Sequence, residues 1–317
     1  MPLPSEMNIN QLITEFALRF SNLEYAADRV LPGIKVKKTD GKYATYDKDS
    51  FRTGGLRTLS SDTEVARTTS YGVGTATFST ELYRQSEVIG VLARENADQP
   101  FDPEQDATAN LMELLAVDKE VRMATLVFGS GNYATGNKTA VANSNAWANY
   151  TTATGAKGPV FQVYSAAEVI RGKVARMPNV LVLGAKSPRV LIRHPDVKDS
   201  LKFVQALTKA NVEAALAALF GVDEYIVVRA IKNIALPGET DSLSDVVADD
   251  AALIVRPARM TVKTVAHSAQ FQHRLFPNGD KWVEKSRMNA TVVEVRDNYV
   301  FKSVSTSAGY LFKTTNT

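Results

Sequence analysis

Residues 33 to 90 constrain the fold most, because they predict extended chain over a long stretch with few residues to bury it. Short strand patterns flank Asp40-Gly41, a dipeptide typical of tight hairpin turns. A flexible tip is predicted around residues 53–62, and a return strand runs from Tyr71 to Tyr83. An isolated two-stranded ribbon is marginally stable in water, so we expect this one to lie against another subunit.

Most of the same segment also has an excess of basic over acidic residues that equals the net charge of the whole chain. Between Gly33 and Ser70 the basic residues exceed the acidic ones by three, which equals the net charge of +3 of the whole chain. Over the whole chain a net charge of +3 means that basic and acidic residues nearly balance, which argues against a dedicated nucleic-acid-binding protein. A solvated hairpin is an equal alternative to an interface for this segment, because blocks of charge usually face water.

Residues 103 to 128 predict one long helix. Asp102 suits the N-cap, Pro103 suits the first helical position and Gln105 suits a capping box, while Gly129 ends the pattern. At 1.5 Å per residue the helix would span roughly 39 Å, about twice the usual length. Its predicted apolar face consists of Leu111, Leu114, Leu115, Val117, Val121 and Phe128.

Residues 159 to 257 alternate between helix and strand patterns, which predicts a compact α/β lobe. Its first helix is expected to begin at Ser165. The other helices of the lobe are predicted to start at Ser187, Pro195 and Ala210.

Residues 260 to 317 are rich in strand patterns, and Asp297-Asn298 predicts a turn among them.

Catalytic and cofactor chemistry has little support in the sequence. The chain has no cysteine, and its three histidines lack the paired spacing of metal ligands. Gly131–Thr139 approaches a phosphate-binding loop, but Asn137 separates the second glycine from Lys138 and a helix, rather than a buried strand, precedes it. We therefore predict no catalytic, cofactor or metal site, and no enzyme.

Membrane association is not expected either. The N-terminus lacks the basic start and apolar core of a signal peptide. The longest apolar run, Ala214–Val222, is too short to span a bilayer. The absence of cysteine fits a reducing cytoplasm.

The order of these elements resembles that of the major capsid (coat) proteins of tailed double-stranded DNA bacteriophages. Ala27–Pro32, followed by Ile34–Val36, Gly41–Tyr43 and Tyr46–Lys48, is similar to the opening of one branch of that family. The resemblance covers essentially the whole chain, and the architecture carries more weight than any single motif.

The resemblance implies an α+β protein with the tailed-phage capsid fold. Its parts would be an N-terminal arm over 1–32, an extended β-hairpin loop over 33–90, a peripheral domain over 91–158 and 258–317 with a spine helix at 103–128 and a β-sheet, and an axial α/β domain over 159–257.

A protein of this family is structural and self-assembles into pentamers and hexamers, which form an icosahedral shell around double-stranded DNA. The resemblance implies a virion capsid assembled in the host cytoplasm, a portal protein as partner, in some members a decoration protein, and no sequence-specific DNA binding. Because about thirty residues precede the loop, we expect a separate scaffolding protein.

Five basic residues of the extended loop are candidates for contacts between subunits: Lys42, Lys48, Arg52, Arg57 and Arg67. Some family members also cross-link a lysine to an asparagine with a glutamate as base. Lys42 or Lys48 with Asn289 or Asn298 would be the candidates for such a bond, which needs a carboxylate buried beside the pair.

Two other functions are compatible with parts of the sequence. An encapsulin-like nanocompartment shell would have the same fold but would enclose cargo enzymes, and the long basic loop favours the phage shell over it. A soluble α/β enzyme built on residues 159 to 257 would need a convergent polar pocket, and it leaves the arm and the ribbon unexplained.

Overall fold

The computed structural model describes most of the chain outside the N-terminal arm and the tip of the extended loop. The described residues are 25–45, 74–95, 102–141, 145–151, 154–202, 209–235, 239–260, 264–284, 290–313 and 315. The candidate site residues Lys48, Arg52, Arg57, Arg67 and Asn289 lie outside them. The predicted tip at 53–62 and the predicted start of the return strand at Tyr71 lie outside them as well.

The described residues form seven α-helices and fourteen strands. The helices are α1 Ala27–Val30, α2 Val91–Glu95, α3 Pro103–Val127, α4 Pro159–Val174, α5 Ser187–Arg193, α6 Pro195–Leu201 and α7 Lys209–Phe220. The strands are β1 Gly33–Val36, β2 Asp40–Thr45, β3 Gly74–Ser79, β4 Glu81–Gly90, β5 Lys138–Ala140, β6 Val180–Leu183, β7 Glu224–Val227, β8 Ile231–Asn233, β9 Leu243–Asp245, β10 Ala251–Ile254, β11 Ser268–His273, β12 Asn278–Glu284, β13 Ala290–Ser303 and β14 Gly309–Lys313.

Two five-stranded sheets organise the fold. The first sheet has the order β1-β11-β13-β12, and β4 pairs with β13 as well. The second sheet has the order β5-β14-β10-β6-β7. Strands β5 and β14 come from outside residues 159–257, so the sheet of the predicted lobe extends beyond that range.

The long helix is confirmed, and it joins the two sheets. The Asp102 side chain accepts the backbone N–H of Glu104, as expected of an N-cap. Near its start α3 packs on the first sheet through Leu111, and near its end it packs on the second sheet through Met123 and Val127. Its predicted apolar face is only partly right, because Leu114 is 54% exposed.

The second sheet is covered on both faces, which explains its continuous apolar strands. One face, with Leu181 and Leu253, packs against the helices of the lobe. The other face, with Val182 and Ile254, packs against α1 and the end of α3. The first lobe helix begins at Pro159, and Ser165 lies inside it, so the predicted start was wrong: Pro159 already occupies the first turn.

The turn predicted at Asp40-Gly41 is wrong. Both residues lie in β2, which pairs with β3, while β1 pairs in parallel with β11. Gly41 faces Phe78 across the ribbon, and a Cβ at Gly41 would lie 2.8 Å from the Phe78 ring. The glycine is therefore needed to admit an aromatic ring rather than to make a turn.

The turn predicted at Asp297-Asn298 is also wrong, because both residues lie inside β13. The Asp297 carboxylate accepts hydrogen bonds from the Gln272 side chain and from the Asn298 backbone, both at 2.8 Å. These bonds satisfy the buried carboxylate, so the strand continues through an Asp-Asn pair that by sequence predicts a turn.

The range 33–90 predicted for the extended loop also contains two strands of the first sheet. Strand β1 at one end and β4 at the other belong to the first sheet. The part that leaves the sheet begins with the ribbon of β2 and β3. Among the described residues, none of the helices combines the length and apolar character of a membrane span.

Candidate assembly elements

The ribbon of β2 and β3 is fixed at its base to the first sheet. The Phe78 ring stacks on the Phe271 ring of β11, with centroids 4.4 Å apart and an interplanar angle of 4°. Tyr43 packs against the same ring at 5.2 Å and donates its hydroxyl to the Ser303 carbonyl at 3.1 Å. Three aromatic side chains thus set the direction in which the ribbon leaves the body.

The rest of the described ribbon is largely exposed. Of the five candidate contact residues, Lys42 lies here, exposed on β2 opposite Thr77. The other four lie outside the described residues. Asn298, a cross-linking candidate, is buried in β13. The structure therefore places one candidate cation on an accessible ribbon and one candidate asparagine in the interior.

A buried glutamate holds the last part of the N-terminal arm. Glu120, in the middle of α3, is fully buried. Its carboxylate accepts the backbone N–H of Ala26 at 3.0 Å and that of Ala27 at 2.8 Å. Two N–H groups at the start of α1 are thereby satisfied by a side chain from the long helix.

Burial raises the pKa of Glu120 to about 7, although the N–H groups of Ala26 and Ala27 oppose the shift. Sequence reasoning missed this residue. The available signal was a carboxylate on the same helical face as the apolar Met123, Ala124 and Val127.

Polar groups beside Glu120 join the same segment to the first sheet. Lys119 and Asp28 form an ion pair at 2.6 Å. With its amide turned, Gln270 of β11 donates to Asp28 at 3.1 Å and accepts from Lys119 at 3.0 Å. Burial raises the pKa of the nearby Asp297. Through these contacts α1, α3 and β11 are held in one arrangement.

The segment resembling a phosphate loop serves a structural purpose. Asn137 is fully buried and donates to the carbonyls of Ser307 at 3.1 Å and Gly309 at 2.8 Å. Lys173 donates to the Asn137 carbonyl oxygen. The residue that breaks the phosphate-binding motif therefore holds the start of β14 in place.

The histidines contribute to the interior. His194 and His267 are fully buried, and burial lowers the pKa of His267 to about 4. The His267 ring stacks on Tyr133 with centroids 4.5 Å apart. Among the described residues no group of histidines and carboxylates has an arrangement suited to a metal ion.

Comparison with known proteins places this architecture in context. No family model matches the chain. A relative from Burkholderia phage BcepMu, named as a major capsid protein, is 24% identical over 97% of each chain. A second, from Pseudomonas phage JBD67 and also named as a major capsid protein, is 27% identical over 78% of this chain and 77% of its own.

Solved structures show the same fold. A phage-related protein from Bordetella bronchiseptica superposes with a TM-score of 0.73 and 20% identity, covering 97% of this chain and 98% of its own. A capsid structure of cyanophage P-SCSP1u gives 0.56 at 9% identity, over 94% and 91%. The resemblance seen in the sequence is thus confirmed: the chain is a structural protein, rather than an enzyme, related to the major capsid proteins of phages and built on their fold.

Proposed function

We propose that the chain is a major capsid protein whose copies form pentamers and hexamers and then an icosahedral shell around double-stranded DNA. The observation that carries this proposal is the relative from the Burkholderia phage, because the similarity extends over 97% of both chains. A match of that extent includes the arm, the ribbon, the long helix and the lobe together.

The ribbon supports the proposal on physical grounds. Its base is anchored by Phe78 and Phe271, while every other described residue of β2 and β3 is partly or fully exposed. A two-stranded ribbon gains stability when a further surface covers it. We propose that a neighbouring subunit supplies that surface, and that Lys42, with Lys48, Arg52, Arg57 and Arg67, pairs with acidic residues there.

Further partners follow from the capsid function. The shell would assemble in the host cytoplasm around a separate scaffolding protein, include a portal protein, and in some cases bind a decoration protein. Packaged DNA would be enclosed without sequence-specific contacts, and its electrostatic attraction to the chain would be weak, since the net charge is only +3.

An encapsulin-like compartment is the second candidate, because it would use the same fold. Both relatives described above are phage proteins by name, and this favours a genome as the content of the shell. The content of purified particles would separate the two functions.

The test is negative-stain electron microscopy of the protein expressed alone and then with a candidate scaffolding protein. We expect closed shells, or free pentamers and hexamers, with closure that depends on the scaffold. A uniform monomer under every condition would contradict the proposal, and closed shells that hold enzymes instead of DNA would support the compartment.

A further inference from the structure

The lobe carries an open groove on one edge of the second sheet. The groove lies between β5, β14 and α4 and has a volume of about 300 Å³. Among the residues that line it are Thr139, Lys157, Phe161, Ser165, Tyr310 and Phe312. Phe161 is exposed, so an aromatic surface faces solvent here. A mixed aromatic and polar lining of this kind suits another polypeptide segment.

Strand β5 forms the rim of this groove and is an edge strand. Within the described residues it pairs only with β14, in parallel, through Lys138 to Ala140. Its three residues are exposed. The outer backbone groups of such a strand remain available for pairing with a further strand.

A second exposed surface of the lobe is an apolar hairpin, formed by β8 and β9. In the chain it connects β7, the other edge strand of the same sheet, to the central strand β10. Ile231, Ile234 and Leu243 are 53%, 61% and 70% exposed. The Asn233 side chain accepts the N–H groups of Ala235 at 3.0 Å and Ser242 at 3.1 Å, which joins the end of β8 to the residue before β9.

The two surfaces carry complementary charge. Lys157 lines the groove and Lys138 lies on its rim. The hairpin carries Glu239, Asp241 and Asp245 against one lysine, Lys232, so it is acidic overall. None of these six side chains has an ion-pair partner among the described residues. Facing surfaces of opposite sign favour association and fix its orientation.

We infer that the groove binds the β8–β9 hairpin of a second copy of this chain. The groove lies beside edge strand β5 and the hairpin follows edge strand β7, so the two surfaces share no residue and each copy can use both at once. Contacts of this head-to-tail kind produce a ring when the rotation between copies closes. The inference rests on the proposed shell function and specifies which surfaces join the lobes within a pentamer or hexamer.

Because the chain has no cysteine, introduced cysteines are the only thiols available for a cross-linking test. The double variant Thr139→Cys/Leu243→Cys is assembled and treated with a short bis-maleimide. We expect a ladder of covalent species from dimer up to the ring size, because each copy carries both reactive sites. The control pair Arg189→Cys/Leu243→Cys, whose first residue does not line the groove, should give no ladder.

The results distinguish this inference from the proposed function. Normal shells that yield only monomers, or only dimers as expected of a two-fold contact, would overturn the inference and leave the shell intact. Absence of any shell from the unmodified chain would contradict the proposed function instead.

A charge exchange covers the case in which the cysteine variants do not assemble. Lys157→Glu alone and Glu239→Lys alone should each reduce the assembled fraction, and the double variant should restore it. Failure of the double variant to recover assembly that both single variants lose would overturn the inference, as would unchanged assembly in both single variants.

Discussion

The Glu120 carboxylate lies 2.8 Å from the backbone nitrogen of Ala27 and thereby connects the middle of the long helix to the last part of the N-terminal arm. The acceptor is a side chain from a helix more than ninety residues further along the chain. A contact that joins such distant segments lies outside the reach of local sequence patterns.

Replacing Glu120 by alanine should destabilise the protein. The N–H groups of Ala26 and Ala27 would lose their acceptor in a buried site, at about 1–3 kcal/mol for each unsatisfied group. We expect the free energy of unfolding to fall by about 3 kcal/mol in urea titrations of unassembled protein.

Glu113→Ala is the matched control for that change, because Glu113 lies on the same helix but is exposed and accepts only the Tyr25 hydroxyl at 3.2 Å. Its effect should stay within about 0.5 kcal/mol. An equal decrease in the free energy of unfolding of the two variants would show that the buried Glu120 contact stabilises the protein no more than the exposed Glu113 contact does.

Glu120 should also make stability depend on pH. Its pKa is raised from 4.5 to about 7, so the native state holds this proton more tightly than the unfolded chain. Its stabilising contribution is therefore complete below about pH 4.5 and is lost as the pH rises to about 7, a change of about 3 kcal/mol at most.

Glu120→Gln removes the titrating group, so the variant isolates its effect. Asp28 and Lys119, which also act on Glu120, are present in both proteins. The free energy of unfolding of the unmodified protein minus that of the variant should decrease from pH 5 to pH 7.5. Two parallel curves would refute the assignment.

Phe78→Ala should release the ribbon from the body. Phe78 is buried and stacks on Phe271, and removal of a buried phenylalanine costs about 3–5 kcal/mol. We expect faster hydrogen exchange in residues 40–45 and fewer assembled particles. Thr77→Ala, at an exposed neighbouring position, should leave exchange unchanged. Full protection of β2 in the Phe78 variant would contradict the anchoring.

Lys42→Glu should weaken assembly without unfolding the protein. Lys42 is exposed, so the free energy of unfolding should change by less than about 0.5 kcal/mol. Charge reversal should nevertheless repel an acidic partner surface, and Lys42→Gln should have a smaller effect. Light scattering of assembly reactions provides the measurement. Unchanged assembly in Lys42→Glu would remove this residue from the proposed interface.

Local chemistry made several elements predictable. Asp102 and Pro103 specify the start of the long helix through an N-cap and a fixed φ angle, and the structure begins the helix there. The helix that ends at Phe220 is also predictable, because Gly221 follows it with a φ of +66°. These signals act within a few residues, so the sequence alone contains them.

Only the tertiary structure decided how the strands pair and what the buried polar residues do. Gly41 is typical of a turn until the Phe78 ring is seen to occupy the space beside it. Asp297 suggests a chain break until Gln272 supplies its hydrogen bond. In each case the deciding partner lies far away in the chain, and packing rather than propensity selects the conformation. The sequence by itself determined the long helix and the order of the main elements, while the register of the sheets and the role of Glu120 depend on contacts that exist only in the folded chain.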